Sequence, residues 1–359
     1  MRSACFLLSL LMLAAAAKAD DSPKWTITTQ LRGRTIEGMP LNWSGDKVYL
    51  LGRDGHLWDF RPDEARDYRK TASSFRGYSP AELRAVLQRE LGQHLDVTGT
   101  GHYLVAHPRN QGAEWAQRFE ELYRSFVHYF SVRGLRPKEP QFPLVAIVWA
   151  KPEDLYRYAA AEGLPVGRGT LGYYSAVTNR VALYDYTAEA GRTGGWKQNA
   201  ATIIHEATHQ MAFNTGVHNR LALPPRWLAE GLGTLYEAPG VWNPHNYPAR
   251  GDRINRGRLT QFREFANSGR PAAWFLQLVA SDQPFRTSVG AAYAESWALT
   301  FFLSETEPAK YGQYLAKTAK RPAFESYSTA QRMADFTAIF GKDFRMMDAN
   351  LLRFIAGLE

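Results

Sequence analysis

The residues best able to do chemistry lie between Ala200 and Met211, which read Ala-Ala-Thr-Ile-Ile-His205-Glu206-Ala-Thr-His209-Gln-Met. On a helix, His205 and His209 fall on one face a turn apart, so two ring nitrogens can reach the same ion. Glu206 sits beside the first imidazole and can face a water on that ion without ligating it. Neither Pro nor Gly interrupts Ala200 to Ala212, and the alanines and isoleucines suit a packed helix. Two histidines and a glutamate on an exposed helix would be only a solvated face, so a third ligand is needed. Residues 224–237, Pro-Pro-Arg-Trp-Leu-Ala-Glu230-Gly-Leu-Gly-Thr-Leu-Tyr-Glu237, supply it. The paired prolines suit a helix start, and Leu228, Leu232 and Leu235 form an apolar face. Glu230 lies within that otherwise apolar turn, where an unpaired carboxylate is costly to bury; a divalent cation removes the cost. Two His and one carboxylate leave a fourth position for water, the arrangement of a catalytic zinc site rather than a closed structural one. The expectation is one Zn2+ held by His205, His209 and Glu230.

Taken in order, His205-Glu206-x-x-His209 and Trp227-Leu-Ala-Glu230-Gly resemble the gluzincin zinc metallopeptidases, and within them the peptidase-MA-like proteins of bacterial envelopes. The second segment is also similar to W-L-N-E-G of the aminopeptidase-N family. Downstream, Ala292-Tyr293-Ala-Glu295-Ser296-Trp-Ala-Leu299 resembles that family's P-Y-E-K-G-F-A-L-L, in which the Tyr stabilises the oxyanion. The resemblance covers residues 100–357. It implies zinc ligands at His205, His209 and Glu230, a general base at Glu206 and an oxyanion donor at Tyr293. It also implies a zincin-like fold and hydrolysis of peptide bonds, with a peptide or protein as substrate. The family's G-x-M-E-N strand, whose Glu holds a free amine, corresponds to Gly172 to Tyr186, which contains no Glu. An endopeptidase is therefore expected rather than an aminopeptidase. Lys and Gly of the Tyr motif are replaced by Glu295 and Ser296, and a core tyrosine is the competing reading of Tyr293.

Other candidates have two readings each. Glu237, two turns beyond Glu230, is placed either to accept a hydrogen bond from a ligand imidazole or to sit solvated at a helix end. His218 and His245 flank the ligand helices and are read as surface histidines, with donation to the oxyanion as the alternative. His56, His94, His102, His107 and His128 show no ligand spacing. The run Arg180 to Tyr186 is read either as an edge available to an extended peptide or as an ordinary sheet strand.

The elements that must position these residues follow from pattern. The 359 residues are 45% apolar and 22% charged, enough for a large core and incompatible with disorder. Phe6 to Ala17 is apolar but shorter than the ~20 residues of a spanning helix. With Arg2 before it and Ala17-Lys-Ala19 after it, residues 1–19 read as a secretory signal peptide, so a periplasmic or secreted protein without stable membrane insertion is expected. Removing them takes Arg2 and Lys18, so the net charge of +8 becomes +6, and takes Cys5, the one cysteine. No disulfide framework is then expected, and without a Lys/Arg run no nucleic-acid partner.

Residues 22–65 alternate as strands around an Asp54-Gly55 turn and read as a small β-barrel-like module. Residues 66–99 read as a linker followed by a helix that opens at the capping box Ser79-Pro-Ala-Glu82. Residues 100–359 read as the zincin-like metallopeptidase domain. Its first part mixes strands with an aromatic-faced helix from Ala113 to Arg133, and beyond residue 196 the pattern is almost wholly helical. The fold class is therefore α+β: a β-module, a mixed α/β half and a helical half. Two other functions compete. One is an inactive zinc-containing scaffold docking an envelope partner through the β-module, and the other a hydrolase of a non-peptide or cell-wall amide.

Overall fold

The computed structural model describes residues 25–109, 111, 114–164, 166–185 and 195–359, the side chains of 195–199 excepted. The leader read at residues 1–19 and Tyr186 lie outside them. The chain divides into two compact units, one running to Arg53 with Trp58–Arg76, the other Asp54–Leu57 with Gly77–Glu359.

Alternating burial builds the first unit. Its strands are β1 (Thr26–Leu31), β2 (Arg34–Trp43), β3 (Val48–Gly52), β4 (Leu57–Phe60) and β5 (Ala65–Ala72), in one sheet of order β4-β3-β2-β1-β5. Ile27, Leu31, Ile36, Val48, Leu50 and Phe60 form its apolar core. Gly55 turns the β3–β4 connection at φ +85°, as the Asp-Gly pair predicts. The polar stretch read as a linker contains β5 instead. Its Arg66, Asp67, Arg69 and Lys70 stand on a strand that, among the described residues, pairs only with β1. Charge on an edge discourages pairing between molecules, and it erases the alternation by which a strand is recognised.

The second unit opens with α1 (Pro80–Leu91), β6 (Leu95–Gly99), β7 (Tyr103–Pro108), α2 (Glu114–Ser131), β8 (Leu144–Trp149), α3 (Pro152–Ala161), β9 (Gly172–Ser175) and β10 (Arg180–Tyr184). Ser79 and Glu82 cap α1 reciprocally, as their spacing predicts. The strands form a mixed sheet of order β6-β7-β8-β10-β9, with β7, β8 and β10 mutually parallel. Every residue of β8 is buried, because helices cover both faces. Leu144, Ala146 and Val148 pack with α2 and the helix of the two histidines. Val145, Ile147 and Trp149 pack with α1 and α3. Of the two readings of Arg180 to Tyr186, the ordinary sheet strand holds: β10 pairs with β8 on one side and β9 on the other, and β9 is the edge strand among the described residues.

Ten helices complete the described chain: α4 (Gly195–Asn214), α5 (Arg226–Tyr236), α6 (Pro239–Trp242), α7 (Arg256–Asn267), α8 (Phe275–Ala280), α9 (Pro284–Thr287), α10 (Val289–Thr306), α11 (Pro308–Ala319), α12 (Thr329–Phe340) and α13 (Phe344–Ala356). The protein is thus α+β, with a β-sheet module first and a helical C-terminal half. α10 is hydrophobic on nearly every side and is the buried hub of that half. Among the described residues, no helix is long and apolar enough to cross a membrane.

Candidate metal centre

Helix α4 carries both histidines and is fixed to the sheet by the residue that follows them. The buried Gln210 amide donates to the carbonyls of Val145 and Asn179, both at 2.9 Å. With Gln210 turned to the sheet, His205 and His209 face α5, about a helical turn apart. α5 can approach because of two glycines. A Cβ on Gly233 would lie 2.7 Å from His205 Cε1, and one on Gly231 would lie 2.6 Å from the Ser296 carbonyl of α10. Residues two apart point about 200° from each other around a helix, so α5 is held between α4 and α10.

This packing brings His205, His209 and Glu230 together. His205 Nε2 lies 3.1 Å from His209 Nε2 and 3.2 Å from Glu230 Oε2, and His209 Nε2 lies 3.6 Å from the same oxygen. Ligands at about 2.0–2.1 Å from a tetrahedral centre are ~3.3 Å apart. The triangle therefore fits zinc, and its donor set is the one zinc favours. Both imidazoles keep 12% side-chain exposure and Glu230 keeps 14%, so the centre is recessed but reachable.

The surroundings orient these groups. His205 Nδ1 donates to Glu237 Oε1 at 2.9 Å; a carboxylate only accepts, so Nδ1 keeps a proton, and Nε2, which faces Glu230, is the nitrogen that would give up its proton to ligate. Glu237 is held in turn by the Asn255 amide, at 2.7 Å from Oε2. Of the two readings of Glu237, the structure selects the ligand partner. Glu230 uses Oε2 toward the imidazoles, while Oε1 accepts from Arg226 Nε at 3.3 Å. Burial opposes charge on His205, but its hydrogen bonds to Glu230 and Glu237 outweigh this and raise its pKa to about 10 in the metal-free protein. Burial likewise pushes Glu230 up, and the hydrogen bonds from both imidazoles reverse this to hold it well below the carboxylate range.

Glu206 accepts from the Tyr174 amide of β9, 2.8 Å from Oε2. Burial raises its pKa, against the pull of His205 and His209. Tyr293 lies at the same centre, its hydroxyl interacting with Glu230 and Arg226 and raised to about 12, first by burial and then by Glu230. Its ring packs edge-on to Phe285, with centroids 5.4 Å apart. The ring thus packs against the apolar core while its hydroxyl is turned to Glu230 and Arg226. Glu295 points away and is fully buried, bonded to Arg270 through Nε at 2.8 Å; Arg270 also binds Asp348 at 2.7 Å. That ion triad gives the buried Glu295 carboxylate its counter-charge.

Residues 199–325 match a family model described as "Protein of unknown function (DUF1570)". No curated protein matches the chain. Among solved structures, similarity is found to the M1 zinc metallopeptidase from Deinococcus radiodurans, with 16% identity and TM-score 0.37. A mutant of that enzyme bound to a Tyr-Ser-Ala substrate gives 15% and 0.36, and a two-domain M1 zinc metallopeptidase mutant bound to L-arginine gives 15% and 0.37. These alignments cover 74% of this chain and 51–52% of the others. The chain thus spans about half the length of the solved structures it matches.

Sequence reasoning misread His218 as a surface residue and did not single out Asn255, whereas its surface reading of His245 holds. His218 is 1% exposed and not on the surface, and among the described residues neither ring nitrogen has a hydrogen-bond partner. His245 is exposed and joins no cluster of metal-ligand type among the described residues. Asn255 lies outside every motif, and only the folded chain brings it to Glu237. Arg226 carried a usable signal, since it stands one turn before Glu230 at the spacing of a helical ion pair.

Proposed function

We propose that this protein is a zinc-dependent hydrolase of peptide bonds, a gluzincin-type endopeptidase of the bacterial envelope. The observation that carries the reading is the convergence of His205 Nε2, His209 Nε2 and Glu230 Oε2 within 3.6 Å of one another, with Glu206 beside them. Zinc bound there supplies Lewis acidity, bringing the pKa of water from about 15.7 towards about 7 and polarising an amide carbonyl. Glu206 is the group placed to take the proton. Its Oε2 is held by the Tyr174 amide, which leaves Oε1 for proton transfer, and passing the proton to the leaving amine restores the carboxylate. The burial that raises Glu206 also makes it the stronger base.

The Tyr293 hydroxyl, raised to about 12, keeps its proton at neutral pH and can donate to the oxygen that gains charge. Gly172 to Asp185 offers no carboxylate suited to a free amine except Asp185, which is 6% exposed; this supports internal over amino-terminal cleavage. The envelope location belongs to the same proposal and rests on the leader-like residues 1–19.

Elemental analysis of the purified protein should find about one zinc per chain. Glu206→Gln should retain that zinc and lose at least ~10²-fold in cleavage of unstructured protein substrates. Cell-wall digests run in parallel test the other amide class. Wild-type turnover by Glu206→Gln, or release of cell-wall fragments without any peptide cleavage, would overturn the reading.

A further inference from the structure

Two guanidinium groups flank Tyr293 in ways the proposed reaction does not use. Arg226, the first residue of α5, spends Nε on Glu230 Oε1. Its side chain remains 44% exposed, with Cζ 4.6 Å from the Phe285 ring centroid. Arg258 of α7 places its Cζ 5.0 Å from the Tyr293 ring centroid, on the ring whose hydroxyl reaches Glu230. It donates to the neutral Gln261 side chain at 2.8 Å, and among the described residues it has no ion-paired carboxylate. Two cations are thus held by aromatic faces beside the metal centre, one of them without a counter-charge.

We propose that Arg226 and Arg258, with Tyr293 between them, form a carboxylate-recognition subsite selecting peptides that carry a carboxylate next to the scissile bond. The planar guanidinium fork matches a carboxylate in two parallel hydrogen bonds, which an ammonium or a neutral amide does not reproduce. The rings of Phe285 and Tyr293 restrict rotation of the arginines and exclude water from one face of each, strengthening the remaining hydrogen bonds. Arg226 has a second duty. By occupying Oε1 it leaves Glu230 to ligate through Oε2 alone, so variants of Arg226 would disturb the metal as well as the substrate. Arg258 touches no proposed ligand and is the residue to vary. The carboxylate has two sources, an Asp or Glu side chain within a longer peptide or the free C-terminus of a short one.

The inference rests on the peptidase reading, and the test separates the two. The full chain carrying Glu206→Gln, loaded with zinc, is titrated with three N-acetylated hexapeptides. One has an internal Glu and an amidated end, one has Gln at that position and an amidated end, and one has Gln and a free C-terminus. A carboxylate peptide should bind about tenfold more tightly than the neutral amidated one, the size of one partly exposed charge-assisted hydrogen bond. Which one binds identifies the source. Arg258→Gln in the same background should remove the ratio, and Arg258→Lys should restore only part of it. Equal binding of all three, no binding of any, or a ratio untouched by Arg258→Gln overturns the subsite. Cleavage by the wild-type chain is read separately. Equal cleavage of the three leaves the peptidase reading standing and removes the subsite, whereas selective binding without cleavage does the reverse. Because the ratio is first measured with Arg258 intact, misfolding of a variant does not shield the proposal.

Discussion

Replacing Gly233 with alanine tests the arrangement of the centre most directly. The added Cβ would stand 2.7 Å from His205 Cε1, 2.9 Å from Nδ1 and 3.0 Å from Nε2, against 3.4 Å where ordinary contact begins. The shortfall at Cε1 is about 0.7 Å. α5 cannot retreat to absorb it, because Gly231 on the opposite side already lies flush with Ser296 and Thr300 of α10. The imidazole must therefore move, giving up its 2.9 Å bond to Glu237 and carrying Nε2 away from the ligand triangle. Metal sites tolerate errors of only about 0.2 Å in ligand distance, and disturbing the partners of a ligand costs about 10–100-fold in metal affinity. A loss in that range, about 1.4–2.7 kcal/mol, is expected for zinc. The effect on folding should be smaller, since overpacking costs about 1–3 kcal/mol and the gain in helix propensity returns about 1. Competition with a chromogenic chelator reads the first quantity and thermal unfolding of the zinc-free chain the second. Gly290→Ala, whose Cβ would meet nothing within 4 Å, serves as the control. A Gly233→Ala protein that binds zinc within threefold of wild type would refute the clamped-helix reasoning.

Three further outcomes are expected. Asn255→Ala should weaken zinc binding about tenfold by freeing Glu237, and no change would return that carboxylate to a solvated role. Tyr293→Phe should lower kcat by about 10²–10³ with little change in KM, and a purely raised KM would assign Tyr293 to binding. His218 is buried, without a partner for either nitrogen among the described residues, and its pKa is lowered to about 3, chiefly by burial. Its unfolded form therefore takes up a proton that the folded form refuses, and stability falls as pH drops from ~6.5 towards 3, by at most about 1.4 kcal/mol per pH unit. His218→Phe should flatten this slope in urea melts between pH 7 and 4.5, whereas parallel slopes would show that His218 is not the source.

The proposed ligands were legible because their chemistry is local: two residues a turn apart on α4, and one carboxylate inside an apolar turn of α5. The partners that orient them were not. Glu237 looked the same whether solvated or bonded, and its role depends on Asn255, which reaches it only through the fold. His218 sits in a connection between helices and reads as surface, yet the chain folds over it. The strands failed where composition and exposure part company. β5 is charged because it is an edge, and β6 was passed over because it holds one buried residue in five. β10 was recognised as a strand but its place, edge or interior, stayed open, since a buried run gives no sign of how many neighbours it has.

The bonds from Gln210 to the carbonyls of Val145 on β8 and of Asn179 in the β9–β10 turn also set how this region can tolerate change in length. They pin the rotational phase of α4 one residue after His209. Each inserted residue turns the helix by about 100°. An extra residue between 209 and 210 would swing the imidazole pair away from α5 while the pin stayed in place. The same addition before residue 200 would leave the pair where it is and be absorbed upstream. Natural variation in length should therefore gather ahead of α4 and be excluded from the interval between the second histidine and its amide anchor.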